Sequence, residues 1–256
     1  MQARSLPFSR GYAWLKEGFA LWRKNPALLT FVTFGYLLFL VLLSLVPVLG
    51  QIVASVLMPV LSLGILNACR AVDRGERVGP DILLSGFRQH LRGVLVIGGV
   101  YVVTSMVVLL LTMLADGGTL FHAMTGVAPI SPEEAQAPGF SIALGIGLFL
   151  STPVMMAYWF APVLAGWQGL PAAKALFFSF FASLRNWKPF LGFALSLGFF
   201  GAIVPGVIVG IVTLASPMLG SLLSIPLPLI LLPVIFASFY VNIRDVFPDL
   251  EPGRNG

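Results

Sequence analysis

Four long stretches of this chain contain no Asp, Glu, Lys or Arg, and this feature restricts the possible folds more than any other. The hydrocarbon core of a bilayer is about 30 Å thick, and a helix needs about 20 apolar residues to cross it. The first and last stretches are long enough for two such helices each, joined by a tight turn. We therefore predict six membrane-spanning helices. The four stretches are Pro26–Asn67, Gly93–Ala115, Ala135–Ala173 and Pro189–Asn242.

The composition excludes an ordinary soluble domain. Hydrophobic residues make up 58% of the chain and charged residues 10%, whereas a soluble domain has about 25% charged residues. The single cysteine, Cys69, excludes an intrachain disulfide. The predicted fold class is an all-α, polytopic membrane helix bundle that forms one integral membrane domain over residues 1–256. The predicted spans are 27–46, 52–68, 94–114, 141–164, 190–214 and 222–241, with tight turns at 47–51 and 216–221.

A basic amphipathic segment precedes each odd-numbered span. In the first, Phe8, Tyr12, Leu15, Phe19 and Trp22 recur every three or four positions, which places them on one face of a helix. Lysine and arginine occupy the other faces, which is typical of helices that lie in the plane of a membrane interface. The breaks that end the three segments are predicted at Pro26, Gly93 and Pro189.

The even-numbered spans each contain a proline followed by valine, at Pro59, Pro153 and Pro233. A proline inside a membrane helix frees a backbone carbonyl and can kink the helix, so we predict a kink at each position. The three prolines and the three amphipathic segments together indicate three repeated two-span units. The predicted units cover residues 7–70, 79–168 and 169–246.

Lysine and arginine are distributed unequally between the two sides of the membrane in the predicted six-span topology. If the N-terminus lies inside, all fifteen Lys and Arg residues, including Arg254, fall on the inner side. The outer segment 115–140 then contains only acidic charges. The positive-inside rule therefore predicts that both termini are cytoplasmic. Tryptophans expected to anchor at the inner interface are Trp14, Trp22, Trp167 and Trp187.

No group of residues in the sequence indicates catalysis or metal binding. The two histidines, His90 and His122, are far apart in sequence, and no cluster of His, Cys, Asp and Glu has the spacing of metal ligands. The predicted spans lack charged residues, which argues against an ion-coupled pump. We expect no enzymatic activity, cofactor or metal, and a membrane enzyme that uses His122 is the least favoured alternative.

The basic inner surface is the feature that implies a partner. A lysine or arginine near an anionic leaflet gains about 1 kcal/mol, so this surface is expected to contact anionic lipid headgroups or a membrane-protein partner. The same charges also serve orientation and anchoring, and nucleic-acid binding is not expected. The candidate headgroup contacts are Arg23, Lys24, Arg88, Arg92, Arg185 and Lys188.

Four segments of the sequence carry a family resemblance: Gly18–Pro26, Ala68–Glu76, Ala157–Pro162 and Leu184–Phe190. In these segments the chain resembles an uncharacterised six-span inner-membrane protein family of proteobacteria. It is also similar to the YciC-type membrane proteins and to the membrane region of some glycerophosphodiester phosphodiesterases. The resemblance implies a location in the bacterial inner membrane and supplies no catalytic residues.

Two hypotheses about function follow. The first is a non-enzymatic inner-membrane protein that interacts with lipids or partner proteins through its basic cytoplasmic surface. The alternative is a transporter or permease for a small or amphipathic substrate, with a pathway between the even-numbered spans.

Overall fold

The computed structural model describes residues 3–46 and 48–250, and every regular element within these ranges is a helix. Six helical segments are long and apolar enough to cross a membrane, so the predicted six-span, all-α fold class is confirmed. Pro47 of the first predicted turn and Arg254 of the basic set lie outside the described residues. The six segments are Pro26–Ser44, Leu49–Asp73, Leu91–Asp116, Pro138–Gln168, Trp187–Ala215 and Pro217–Val246.

Shorter helices precede and connect these segments, and three of the six segments are interrupted. The α-helices are α1 (Arg10–Lys24), α2 (Pro26–Ser44), α3 (Leu49–Asp73), α4 (Leu91–Asp116), α5 (Thr119–Thr125), α6 (Pro132–Gln136), α7 (Pro138–Trp159), α8 (Ala161–Gln168), α9 (Ala172–Arg185), α10 (Trp187–Leu197), α11 (Val204–Ala215), α12 (Pro217–Ser224) and α13 (Pro226–Val246). Short 3₁₀ helices cover Pro80–Arg88 and Pro248–Leu250, and a π-helical segment, Gly198–Ile203, joins α10 to α11.

Helix ends follow local chemistry that the sequence displays. α2 begins at Pro26, and the side-chain oxygen of Asn25 accepts a hydrogen bond from the Leu28 amide at 3.2 Å. α6 begins with a capping box, in which Ser131 and Glu134 each bond to the backbone of the other. The local sequence Ser131-Pro132-Glu133-Glu134 thus supplies both the cap and the first turn of this helix.

The second and third predicted breaks are misplaced by a few residues. The second lies at His90 (φ 42°), in the left-handed region that stops a helix, and Gly93 lies inside α4. The third lies at Asn186, whose buried side chain donates to the Arg4 carbonyl at 2.8 Å and accepts from the Leu6 amide at 3.0 Å. Pro189 falls in the first turn of α10, where a proline is tolerated.

The second predicted tight turn is also wrong. Ser216 caps the start of α12 by accepting a hydrogen bond from the Leu219 amide at 3.4 Å, and α12 continues from Pro217 to Ser224. The connection between α11 and α12 is therefore the single residue Ser216. A Ser-Pro pair starts a helix well, because serine is a good N-cap and proline suits the first helical position.

The described residues form two compact units, each built from separate parts of the chain. The first unit contains residues 3–39, 61–89 and 182–250, and its core includes Trp14, Leu66 and Tyr240. The second contains residues 40–46, 48–60 and 90–181, with Ile97 and Phe160 in its core. The division into three sequential repeats stays a prediction.

Candidate functional site

Helix α1 packs closely against α10 and α13 of the first unit. Gly18 lies so near α13 that an added Cβ would be 2.6 Å from the amide nitrogen of Ser238 and 2.7 Å from its Cα. Gly11 makes a similar approach to the backbone of α10, at Pro189. The buried face of α1 therefore differs from the predicted apolar face. It consists of Gly11, Trp14, Leu15, Gly18 and Leu21.

The predicted apolar face of α1 is mostly exposed. Tyr12 and Phe19 are 49% and 43% exposed, whereas Leu15 is buried and belongs to both faces. Trp14 is only 1% exposed, so it packs inside the protein and does not anchor at an interface as predicted. The spacing of apolar residues does not reveal the buried face of α1, because α1 has two apolar faces. The buried face depends on glycines, which a hydrophobicity pattern does not detect.

The carboxylate of Asp245, near the end of α13, is held by two side chains of α1. It accepts hydrogen bonds from Trp14 Nε1 and from Arg10 Nε, each at 2.9 Å, and it also pairs with Nη2 of Arg10. Arg10 Nη1 pairs with Glu17 Oε1 at 3.0 Å. Partial burial lowers the pKa of Arg10, but bonding to Asp245 and Glu17 outweighs it and raises this pKa above its ordinary value. Arg10 is thus charged at every physiological pH.

A second set of ion pairs continues from Glu17 to α3. Arg244 donates to Glu17 Oε2 at 2.7 Å and to Asp73 Oδ2 at 3.0 Å. Lys24 Nζ lies 3.0 Å from Asp73 Oδ1, and the Tyr240 hydroxyl donates to Asp73 Oδ2 at 3.3 Å. These contacts join α1 to the C-terminal ends of α3 and α13. We call the ionic residues the charged cluster: Arg10, Glu17, Lys24, Asp73, Arg244 and Asp245.

Beside α1 the first unit contains an apolar cavity of about 430 Å³. This volume lies in the range of about 300–1,000 Å³ that is typical of ligand sites. Lys16 is the one residue of its lining with a charged side chain. The lining residues are Tyr12, Leu15, Lys16, Phe19, Phe200, Gly201, Pro205, Leu227, Ile230, Leu231 and Val234.

Helix irregularities shape the cavity wall opposite α1. Phe200 and Gly201 belong to the π-helical segment, and Pro205 follows it at the start of α11. π-Helical turns are rare and often occur at functional sites. An added Cβ at Gly201 would be 3.0 Å from the side chain of Leu231, so this glycine lets the two walls approach each other. No pattern in the sequence marks a π-helical turn, so this cavity could not be predicted from the sequence.

The six candidate headgroup residues differ in their surroundings. All are exposed, but Lys24 pairs with Asp73, and Lys188 Nζ lies 5.9 Å from the ring centre of Trp187. Arg92 belongs to the second compact unit and the other five belong to the first. The role of these six residues as headgroup contacts stays a prediction.

The three candidate kink positions all lie inside helices. Pro59 is in α3, Pro153 in α7 and Pro233 in α13. Pro233 is buried and directly precedes Val234, which lines the cavity. The kinks themselves stay predictions.

Asn67 and His90 also form contacts within the protein. Asn67 donates to Ser85 Oγ at 2.7 Å and to Gln89 Oε1 at 3.3 Å, which ties α3 to the Pro80–Arg88 helix. His90 Nδ1 lies 3.0 Å from the carbonyl oxygen of Gly166. Over residues 3–46 and 48–250 there is no group of three or more His, Cys, Asp and Glu side chains that could hold a metal ion.

Comparison with known proteins places the chain among inner-membrane proteins. No protein-family model matches it, and no solved structure matches it. It is 36% identical over 264 residues to a protein of Burkholderia thailandensis named "probable inner membrane protein", and the alignment covers 99% of this chain and 96% of the relative. The chain therefore belongs to the family of this probable inner membrane protein, and it is a multi-pass protein of the inner membrane.

Proposed function

We propose that the protein is a non-enzymatic inner-membrane protein with both termini in the cytoplasm, and that it binds anionic phospholipid headgroups through its basic cytoplasmic surface. The observation that carries the proposal is the distribution of charge. All fifteen Lys and Arg residues fall on one side of the six-span threading. We also propose that the protein is related to the YciC-type membrane proteins. The four sequence segments that carry the family resemblance support this relationship.

The orientation can be tested with reporter fusions. Alkaline phosphatase fused after Glu134, in the connection between α4 and α7, is expected to be active, because the enzyme folds only outside the cytoplasm. The same enzyme fused after Arg77, in the connection between α3 and the Pro80–Arg88 helix, is expected to be inactive. A fluorescent protein that folds in the cytoplasm should give the reverse pattern at the same sites. An active phosphatase after Arg77 would contradict the proposed orientation.

The three-unit repeat belongs to the same proposal. A short helix precedes each odd-numbered span: α1 before α2, the Pro80–Arg88 helix before α4, and α9 before α10. The proline of the following even-numbered span lies inside a helix in each unit, at Pro59, Pro153 and Pro233. Such units would present three basic segments to the same leaflet.

Exposure of the cations supports binding to headgroups. Arg23, Arg88 and Arg185 are exposed, and in the described part of the chain they form no ion pair with an acidic side chain. Their guanidinium groups can therefore approach lipid phosphates without first breaking a contact. Arginine suits this role because its planar donors match the oxygens of a phosphate.

Charge removal at this surface is expected to weaken lipid binding. The triple variant Arg23→Gln, Arg92→Gln, Arg185→Gln should bind phosphatidylglycerol at least fivefold more weakly than the wild type, because each cation near an anionic surface contributes about 1 kcal/mol. Native mass spectrometry of the protein in a neutral detergent, titrated with phosphatidylglycerol and with phosphatidylcholine, measures the change. The matching Arg→Lys triple variant keeps the charge and should retain the preference for phosphatidylglycerol over phosphatidylcholine. If the glutamine variant binds both lipids like the wild type, the proposed surface is wrong.

A further inference from the structure

We propose that the apolar cavity between α1, the π-helical segment and α13 holds one acyl chain of an anionic phospholipid, whose phosphate pairs with Lys16. The proposal rests on the proposed function in one respect, since it also assigns lipid binding to this protein. It concerns different residues, however, because none of the six surface candidates lines the cavity.

The lining suits a hydrocarbon chain. Apart from Lys16 and the hydroxyl of Tyr12, the side chains that face the cavity are apolar. The hydrophobic effect favours filling such a surface with hydrocarbon, because each buried CH₂ group is removed from water. Several lining residues are also reachable from outside, among them Phe200 at 50% exposed and Ile230 at 38%. A chain from the surrounding bilayer can therefore enter from the side.

Lys16 gives the cavity its charge preference. Its side chain is exposed, and within the described ranges it forms no ion pair. The acidic residues of α1 and α13, Glu17 and Asp245, are already paired with arginines in the charged cluster. The ammonium group of Lys16 is thus available to an external anion.

The two features together select one kind of ligand. A lysine can lay its alkyl stem along an apolar surface while its ammonium group reaches the polar layer. A phospholipid with a net negative charge supplies both parts of the match, a hydrocarbon chain for the lining and a phosphate for Lys16. A small anion would leave the apolar lining empty, and an uncharged hydrocarbon would leave the ammonium group without a partner.

Contacts within the protein hold the walls of the cavity in place. α1 is held against α13 by the close approach of Gly18 to Ser238 and by the charged cluster. On the other side, Gly201 and Leu231 bring the π-helical segment onto α13. Binding to a preformed site avoids the cost of ordering the walls, which favours a single tight lipid over several loose ones.

Two variants test the acyl-chain site and the phosphate site separately. Lys16→Gln is expected to reduce the preference of the tightest-bound lipid for phosphatidylglycerol over phosphatidylcholine about fivefold, with little change for phosphatidylcholine. Ile230→Trp places a large ring in the cavity and is expected to weaken the first binding event of both lipids at least tenfold. Native mass spectrometry in neutral detergent resolves the first bound lipid from later ones. It therefore measures both the headgroup preference and the affinity of the first binding event.

Each variant has a matched control with the same chemical change outside the cavity. Lys174→Gln removes an exposed lysine of α9 that is not one of the six headgroup candidates, and Ile208→Trp adds a ring to an exposed position of α11. Both should leave the first bound lipid unchanged. Thermal unfolding of each variant shows that the fold is retained.

The outcomes distinguish this inference from the proposed function. Loss of the first bound lipid in Ile230→Trp, with loss of headgroup preference in Lys16→Gln, supports the cavity. Wild-type binding in either variant overturns it, even if the surface triple variant has lost its later, weaker lipids. Conversely, an unchanged surface variant contradicts the basic surface and leaves the cavity result standing.

Discussion

Gly18→Ala is expected to destabilise the protein strongly, although it adds only one methyl group. The new Cβ would be 2.6 Å from the Ser238 amide nitrogen and 2.7 Å from its Cα, so α1 and α13 would have to move apart. Backbone atoms cannot rotate away as a side chain can, and overpacking of this kind costs about 1–3 kcal/mol or more. The midpoint of thermal unfolding in detergent should fall by about 5–10 °C. Size-exclusion chromatography of heated samples measures this midpoint.

Gly206→Ala provides the control with the same chemical change. Gly206 lies in α11, and an added Cβ there would have no neighbour within 4 Å. Alanine has the higher helix propensity, by about 1 kcal/mol, so this variant should be as stable as the wild type or slightly more stable. Equal unfolding midpoints for Gly18→Ala and the wild type would show that α1 does not pack against α13 in this way.

Arg244→Met is expected to have the second large effect, a loss of about 2–4 kcal/mol in the free energy of unfolding. Arg244 bonds to both Glu17 and Asp73, and its side chain is only 16% exposed. Removing it leaves two partly buried carboxylates with fewer partners, and the cost of such unpaired charge exceeds the value of the lost attraction. Denaturation of the purified protein, with helix content as the signal, measures the loss.

A double-mutant cycle separates the ion pair from general damage. Asp73→Asn combined with Arg244→Met should cost less than the sum of the two single changes, because the pair can be lost only once. Arg185→Met is the control, since this exposed arginine takes no part in the charged cluster, and its effect should stay within about 0.5 kcal/mol. Strictly additive losses at positions 73 and 244 would mean that the two side chains do not interact.

The charged cluster connects α1 to the ends of two membrane-crossing segments. Asp245 and Arg10 are 235 positions apart in the chain, and Arg244 and Asp73 are 171 apart. These two ion pairs therefore connect helices that are distant in sequence. Hydrophobic burial gives little selectivity for which membrane helices pack together, because lipid tails are as apolar as the helices themselves. Specific polar contacts at the ends of the spans supply part of the missing selectivity.

The candidate site could be predicted only in part. The face of Tyr12, Leu15 and Phe19 was recognised from its spacing, and these residues do lie together, along the cavity. The opposite wall was not predicted, because its residues come from the π-helical segment and α13, which no local pattern connects. The charge of Lys16 is evident from the sequence, but its position beside an apolar cavity depends on which helices pack next to α1.

The amino-acid sequence by itself determined the six spans, the start of α6 and the break at Pro26. These features are local: a helix in a bilayer satisfies its backbone hydrogen bonds internally, so about 20 consecutive apolar residues suffice to predict it. Only the tertiary structure decided that Gly18 meets Ser238, that Trp14 is buried against Asp245, and that a cavity forms beside Lys16. Each of these contacts depends on which helices are neighbours, and that choice is made by close packing and charge pairing between segments far apart in the chain.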